Sequence, residues 1–358
     1  MVTVLGFDIG GANTKVAFLK TQNTTIQELQ TALEYFPVWK NGKNQLPRVL
    51  ERLKKRLTNS TALDGVGVTI TAELSDAYMT KKEGINHVLD CIIEVFGDVS
   101  TFVLDVEANL LSVKDARKEP LKVASANWAA TGWMISQMNP NCIVIDVGST
   151  TTSIVPVVNG KIAAEGKTDL EKLQNGELVY SGSLRTNVAT IVNCIPVQGK
   201  MTRVSSELFS QSGDVHLLLG NIEKKDYTSE TCDSRGKTRK DAEARLARVV
   251  CADRDMLTEQ EIMDIAKFVY DKQVKQIANG LNQVHERIKK ALPKKIAVVT
   301  GLGRNFLAKK AAEKVGFNEI VDAKELLGVD AAVVSPSVGV ALIVANSLEG
   351  KTVTWKQS

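Results

Sequence analysis

A chain of 358 residues is long for one hydrophobic core, and about two domains is the expectation. The composition, 44% hydrophobic and 24% charged, is that of a soluble globular protein, and no apolar run approaches the roughly 18 to 20 residues that would cross a bilayer. A net charge of +4, dispersed along the chain, argues against a nucleic-acid partner, and an N-terminus that enters an apolar strand without a cationic leader points to the cytoplasm.

The first predicted element is VLGFDIGGANTKVAFL, residues 4–19, which reads as strand, tight turn, strand. Gly10 and Gly11 lack a Cβ, so their backbone can approach a phosphate closely, and Asn13, Thr14 and Lys15 add an amide, a hydroxyl and a cation. Asp8 ends the first strand, where a carboxylate can hold a metal through water. A covering helix is predicted over 44–57, with Leu46, Val49, Leu50, Leu53 and Leu57 at helical spacing. The run 64–70 (DGVGVTI) is a buried strand leading into Thr71, Ala72 and Glu73, at the strand end where ligands bind in open α/β sheets. A helix over 84–96 and a strand over 101–104 follow. Asp105 and Glu107, just past that strand, are either an acid–base pair or solvated residues entering a helix. Pro120 opens a long helical stretch through Asn127 and Trp128 to Met138, and Asn139–Pro140 break it. The first lobe is predicted to end there, spanning 1–140, with a second over 141–358.

The second lobe begins with another such hairpin, IVIDVGSTTTSIVPV, residues 143–157. Asp146, Gly148 and Thr152 match Asp8, Gly10 and Thr14 at one offset (146 − 8 = 138), and Ser149 and Thr150 supply hydroxyls. Two such units imply two related lobes, each directing a carboxylate and a phosphate turn at a shared cleft. The region around 160–290, which contains Arg185, Thr186, Arg203, Glu207 and Asp214, is read as an inserted substrate-recognition section. Its basic segment, 234–248, lacks interleaved aromatics and contains Asp241 and Glu243, so it is read as a solvated helix face, preceded by loop residues Arg235, Lys237 and Arg239 that could reach an anion. A long helix is predicted over 258–292. A strand over 296–300, then Gly301 and Gly303, then a helix over 304–315 offer another phosphate-type turn. The small-residue helix over 336–346 suits tight packing at a lobe interface. The five cysteines are odd in number and dispersed, Cys91 and Cys142 reading as buried fillers. His87, His216 and His285 are isolated and read as surface or half-buried residues, which excludes a zinc or Ser–His–Asp enzyme.

The order of two Asp-Gly hairpins, a later strand–GxG–helix and a closing small-residue helix resembles the actin-like ATPase superfamily. That resemblance implies an α/β, two-lobed, ribonuclease-H-like fold with a central cleft and a Mg²⁺-dependent phosphate site held by Asp8 and Asp146. More narrowly, FDIGGANTK, TAELSDAY, ASANWAATGW, IDVGSTTT, SLRTNVA and the 234–250 segment make the chain similar to the hydantoinase/oxoprolinase-related family of the tetrahydromethanopterin-linked one-carbon pathway.

The narrower resemblance implies a transferase of methanofuran-type cofactor biosynthesis. Its small-molecule substrates would be an aminomethyl-furan-methanol diphosphate and γ-glutamyltyramine, joined as an ether with release of diphosphate. Asp8, Lys15 and Asp146 would then serve the leaving group with Gly10, Gly11, Asn13, Thr14, Gly148, Ser149, Thr150, Gly301 and Gly303. Glu73, Asp105 or Glu107 would act as base, Asn127 and Trp128 would meet an aromatic ring, and Arg185 would take the glutamyl carboxylate. ATP is admitted by this reading without being required, and a homodimer is left open. The alternatives are an ATP-dependent sugar-kinase-like phosphotransferase or hydantoinase/oxoprolinase-like ATPase using the same residues, and a non-catalytic nucleotide sensor or polymerising actin relative.

Overall fold

Nine consecutive residues with a buried middle, Val2–Gly10, make the strand β1 on which the N-terminal part of the chain is built. A computed structural model describes residues 1–350. The turn at Gly11–Ala12 leads to β2 (Asn13–Gln22), which pairs antiparallel with β1, and β3 (Thr25–Tyr35) extends the hairpin by a strand the sequence reading did not include. β4 (Gly65–Thr71) and β5 (Thr101–Leu104) add in parallel and β6 (Leu110–Ser112) antiparallel, giving the order β3-β2-β1-β4-β5-β6.

A strand buried on both faces is apolar almost throughout, and β1 shows what each face meets. Leu5, Phe7 and Ile9 join the core formed with the helices Leu46–Thr58 and Lys81–Phe96. Gly6 and Gly67, paired in register, face the helix Ser335–Glu349. A Cβ on Gly67 would lie 2.7 Å from Val344 Cγ2, and one on Gly6 would overlap the Ser337 carbonyl. The two glycines therefore let a helix lie directly on the sheet. That helix runs from Ser337 beside Gly6 to Leu348 beside Gly65, so its N-terminal end points toward the ends of β1 and β4, where Asp8 and Thr69 lie.

The helix predicted from Pro120 to Met138 is two helices, Pro120–Val123 and Asn127–Met138. Ser125 interrupts it with φ 53°, a left-handed conformation uncommon outside glycine. The break lets Ser125 N donate to Ile70 O at 2.9 Å, tying the segment to the end of β4 instead of to a helical turn.

A second sheet repeats the pattern: β7 (Cys142–Val147), β8 (Thr152–Val158), β9 (Lys161–Ile162) and β10 (Leu178–Val179) combine with β13 (Ile296–Thr300) and β14 (Glu319–Asp322), in the order β10-β8-β7-β13-β14 with β9 on β8. Between them in sequence stand the separate hairpin of β11 (Cys194–Val197) and β12 (Lys200–Arg203) and the long helix Glu259–Ile288. The chain forms two compact units, one of residues 1–144, 155–172 and 323 onward, the other of 145–154 and 173–322. No described helix is long and apolar enough to cross a membrane.

Two sequence readings change in the second unit. The basic segment is a solvated face only in part: Arg239 and Lys240 are exposed, but Arg245 is 0% exposed and gives its Nε and Nη2 to Asp214 Oδ1 at 2.9 and 2.6 Å, with Asp233 and the Gly236 carbonyl on Nη1. The loop cations are also engaged: Lys237 donates to Tyr227 O, and Arg239 to Leu218 O. His216 is fully buried rather than half-buried, its ring nitrogens facing Gln273 Oε1 and Asn221 Nδ2 at 3.0 and 3.1 Å. The predicted helix after Gly303 opens with a π-helical turn, Arg304–Ala308, before Lys309–Val315.

Candidate functional site

In the first unit the turn after β1 gathers most of the predicted phosphate residues. Asp8 lies opposite Lys15 on β2 and Thr69 on β4, so the three side chains share one face. Asp8 is 3% exposed, and its Oδ2 receives Lys15 Nζ at 3.2 Å. Its Oδ1 is buried without a hydrogen bond, as are Thr14 Oγ1 and Thr69 Oγ1. Buried polar atoms left unmatched in this way cost about 1 to 3 kcal/mol each, and their clustering at one strand end makes this the candidate site of the first unit. Gly10 is required sterically, since a Cβ there would lie 2.7 Å from Asn13 O. Gly11 is not crowded, and it faces Ser75 and the ring of the exposed Trp39, an aromatic neighbour that no motif in the chain points to.

The loop after β4 adds a second group. Glu73 is buried against Gly84, and its Oε1 receives Ser125 Oγ at 2.6 Å. Ser125 Oγ also lies 2.7 Å from Asp169 Oδ2, and Lys81 Nζ reaches the same Oδ2 at 2.7 Å and Glu73 Oε1 at 3.5 Å. Burial pushes the Glu73 carboxyl above the usual carboxylate range, against the pull of Ser125 and Lys81. Burial pulls Lys81 down, but the bond to Asp169 and the two nearby carboxyl groups outweigh it and leave the ammonium raised. Of these four residues only Glu73 was singled out from sequence. Lys81, Ser125 and Asp169 come from three separate segments, and the Ser-Ala-Asn break in a helical pattern was the one local signal.

The other first-unit candidates have different surroundings. Asp105 caps its own loop: Oδ1 accepts the N–H groups of Glu107 and Asn109 at 2.8 Å, and Oδ2 accepts Asn109 Nδ2 at 3.2 Å. Glu107 is exposed, with Lys167 Nζ at 4.0 Å. Trp128 is 2% exposed and carries the Lys172 ammonium 3.6 Å above its ring centroid, so it is a packed residue and not an open stacking face. Asn127, half-buried, begins the helix that follows Ser125.

In the second unit the turn Gly148–Thr151 is covered by residues 183–185. Ser183 N donates to Gly148 O, and Leu184 N and Arg185 N donate to Ser149 O, at 2.9 to 3.0 Å. Arg185 Nη1 donates to Thr150 Oγ1 at 3.2 Å, which places this guanidinium on the turn. Gly301, with φ 85°, lies so close to the end of β7 that a Cβ would stand 2.6 Å from Asp146 Oδ1. Gly303 is as tight, 2.6 Å from Ser183 Oγ, which is buried without a hydrogen bond. Asp146, Gly148, Ser149, Thr150, Arg185, Gly301 and Gly303 thus belong to one small region, whereas Arg203 stands exposed on β12. Gln273 braces this region, donating to Ser181 Oγ and Gly182 O at 3.1 and 2.8 Å while receiving His216.

Comparison with known proteins fits this arrangement. A hydantoinase/oxoprolinase family model matches residues 64–346. The chain is 37% identical, over 97% of its own length and 99% of the relative's, to the (4-{4-[2-(gamma-L-glutamylamino)ethyl]phenoxymethyl}furan-2-yl)methanamine synthase of Methanocaldococcus jannaschii. It is also 37% identical to the synthase of the same name from Methanococcus vannielii, over 60% of this chain and 95% of that one. Among solved structures, nucleotide-free acetone carboxylase superposes with a TM-score of 0.52 at 11% identity, covering 95% of this chain and 70% of the other. That last likeness concerns fold alone, and the α/β fold is of the actin-like ATPase type. By the family model and the near-full-length relative together, the chain belongs to the hydantoinase/oxoprolinase family.

Proposed function

We propose that this enzyme condenses an aminomethyl-furan-methanol diphosphate with γ-glutamyltyramine, forming the aryl ether of a methanofuran-type cofactor and releasing diphosphate. The observation that supports it most is the 37% identity, over nearly the whole of both chains, to a synthase whose name describes a phenoxymethyl-furan product. In such a product the ether oxygen is that of the phenol and the carbon is that of a furanylmethyl group. The phenol oxygen therefore attacks that carbon as its bond to diphosphate breaks. The furan oxygen shares positive charge that develops on the carbon, so the protein's main tasks are to hold the leaving group and to accept a proton from a phenol whose ordinary pKa is about 10.

The first turn suits the leaving group, with glycine backbone at Gly10 and Gly11 and a cation at Lys15. Mg²⁺ fits the same turn. Asp8 keeps a buried oxygen free of hydrogen bonds, and Mg²⁺ asks for only one or two carboxylates when phosphate and water complete its shell. The described residues hold no group of three or more His, Cys, Asp or Glu side chains of the kind an all-protein metal cage uses. Asp8 would hold the ion, which would supply neutralisation of diphosphate charge.

The test is to supply the furan-methyl diphosphate with γ-glutamyltyramine and, in a separate reaction, ATP with the same acceptor. One diphosphate released per ether, without ATP, is expected. Acceptor-stimulated ATP hydrolysis with no ether would overturn the proposal in favour of an ATPase or kinase.

A further inference from the structure

Ser125 Oγ stands between two carboxyl oxygens, 2.6 Å from Glu73 Oε1 and 2.7 Å from Asp169 Oδ2. A serine hydroxyl owns one proton, so it donates across one of these contacts and not both. The other contact needs a second proton, because two oxygens that close with no hydrogen between them repel. Asp169 is the ionised partner: Lys81 Nζ lies 2.7 Å from the same oxygen, and the pair reaches solvent. Glu73 is the protonated one. Its side chain is fully buried, Lys81 is farther from it at 3.5 Å, and its Oε2 has no hydrogen-bond partner. Lys81 and Asp169 are the charged groups that act on it: the Asp169 carboxylate pushes the same way as burial, and burial outweighs the pull of Lys81.

We infer that Glu73, Ser125 and Asp169 form a proton-transfer centre in which neutral Glu73 donates to Ser125, Ser125 donates to Asp169, and the Asp169 carboxylate takes the proton of the attacking phenol. The identity of that phenol rests on the ether-forming reaction proposed above. In the balanced step the phenol O–H bond breaks and its proton goes to Asp169. The oxygen–carbon ether bond forms, and the electron pair of the broken carbon–oxygen bond leaves with diphosphate. The proton then passes from the half-exposed Asp169 to water. Asp169 is the catalytic base, while Ser125 and Glu73 are positioning residues. Strain at the same place supports the assignment, since Ser125, between two helices, is held in the left-handed region. The surroundings suit an aromatic acceptor beside a phosphate. Leu74, Met79 and Leu170, neighbours in sequence to the cluster, are exposed apolar residues, and Ser75 lies against Gly11 of the phosphate turn.

Asp169→Asn is expected to lower kcat for ether formation by about 100-fold or more while changing KM for γ-glutamyltyramine little. The loss should shrink for a nitrated acceptor whose phenol is already ionised at neutral pH. Glu73→Ala should lose most activity, and Glu73→Gln, which still donates to Ser125, should restore most of it. A readout without turnover tests the proton count. The difference in Tm between Glu73→Gln and the wild type should widen in the variant's favour from pH 5 to pH 8, because only the wild type must retain a proton that its unfolded chain has released. A pH-independent difference would overturn the neutral Glu73, whether or not ether is formed. Wild-type kcat in a folded Asp169→Asn, or an equal loss with the nitrated acceptor, would overturn Asp169 as the base; Ser125→Ala, with the same acceptor pair, checks the result if Asp169→Asn does not fold.

Discussion

The two Asp-Gly hairpins share a sequence pattern and differ in how each acquires positive charge. In the first, Lys15 follows Thr14 on the same strand and meets Asp8 directly. In the second, the residue at the offset of Lys15 is Ser153, and the cation is Arg185, brought from a different segment onto Thr150. Backbone carbonyls are taken in both turns, Gly11 O and Ala12 O by Val38 N and Phe36 N, and Gly148 O and Ser149 O by residues 183–185, while the first also keeps buried side-chain oxygens of Asp8 and Thr14 without hydrogen bonds. A duplicated motif therefore need not be a duplicated site. The first turn is set apart by its unbonded side-chain oxygens and a cation on its own strand, the second by a cation from another segment.

The comparison breaks most sharply at the two aspartates. Asp8→Asn should reduce ether formation about 1,000-fold with little change in Tm, and Asp146→Asn should cost less if the second turn is the more structural one. Parallel kcat and melting measurements decide this. Next in size is the cation: Lys15→Ala should lower kcat/KM for the diphosphate substrate about 100-fold and Arg185→Ala about tenfold. Equal losses would mean that both turns serve the phosphate alike.

Glycine replacements sharpen the contrast on the stability side. Gly301→Ala forces a left-handed φ on alanine and drives its Cβ against Val147 and Asp146, so urea unfolding should show a loss of about 2 to 4 kcal/mol. Gly11→Ala meets only an ordinary contact with Ser75 and should cost less than about 1 kcal/mol. Two further effects are spread over pH. Burial lowers His216 from 6.5 to about 3, so the unfolded chain binds the proton first and the second unit loses stability as pH falls from 6.5 toward 3, by about 1.4 kcal/mol per unit. Glu73 acts in the opposite sense, its raised folded value making the first unit lose stability as pH rises above 4.5. Hydrogen exchange on peptides of each unit at pH 5 and pH 8 should therefore rank the two units in opposite orders.

Much of this was legible in the chain itself. β5 and β13 fall on the predicted residues, and the helices Leu46–Thr58, Lys81–Phe96 and Glu259–Ile288 lie within a few residues of the predicted ranges, because apolar periodicity reports which face is buried. Gly10, Asp8 and Lys15 were visible because a hairpin turn compresses them into a few consecutive positions. Arg245 and His216 were misplaced for a common reason. A charged or titratable residue within a polar helix reads as solvated, and only partners such as Asp214 or Gln273, far away in the chain, allow it to be buried.

What the sequence by itself determined is the strongly periodic strands and helices, the two turns and the carboxylates at their ends, since each depends on neighbours within about ten residues. Tertiary structure alone decided which of those groups stand together. Ser125 reached Glu73 because its segment gave up helical geometry to bond Ile70, and Lys81 and Asp169 arrived from 44 residues either side of it. Trp128 was withdrawn from any ligand by Lys172 in the same way. Hydrogen bonds and charges act over a few ångströms, and their partners are set by how the sheets and helices pack rather than by spacing along the chain.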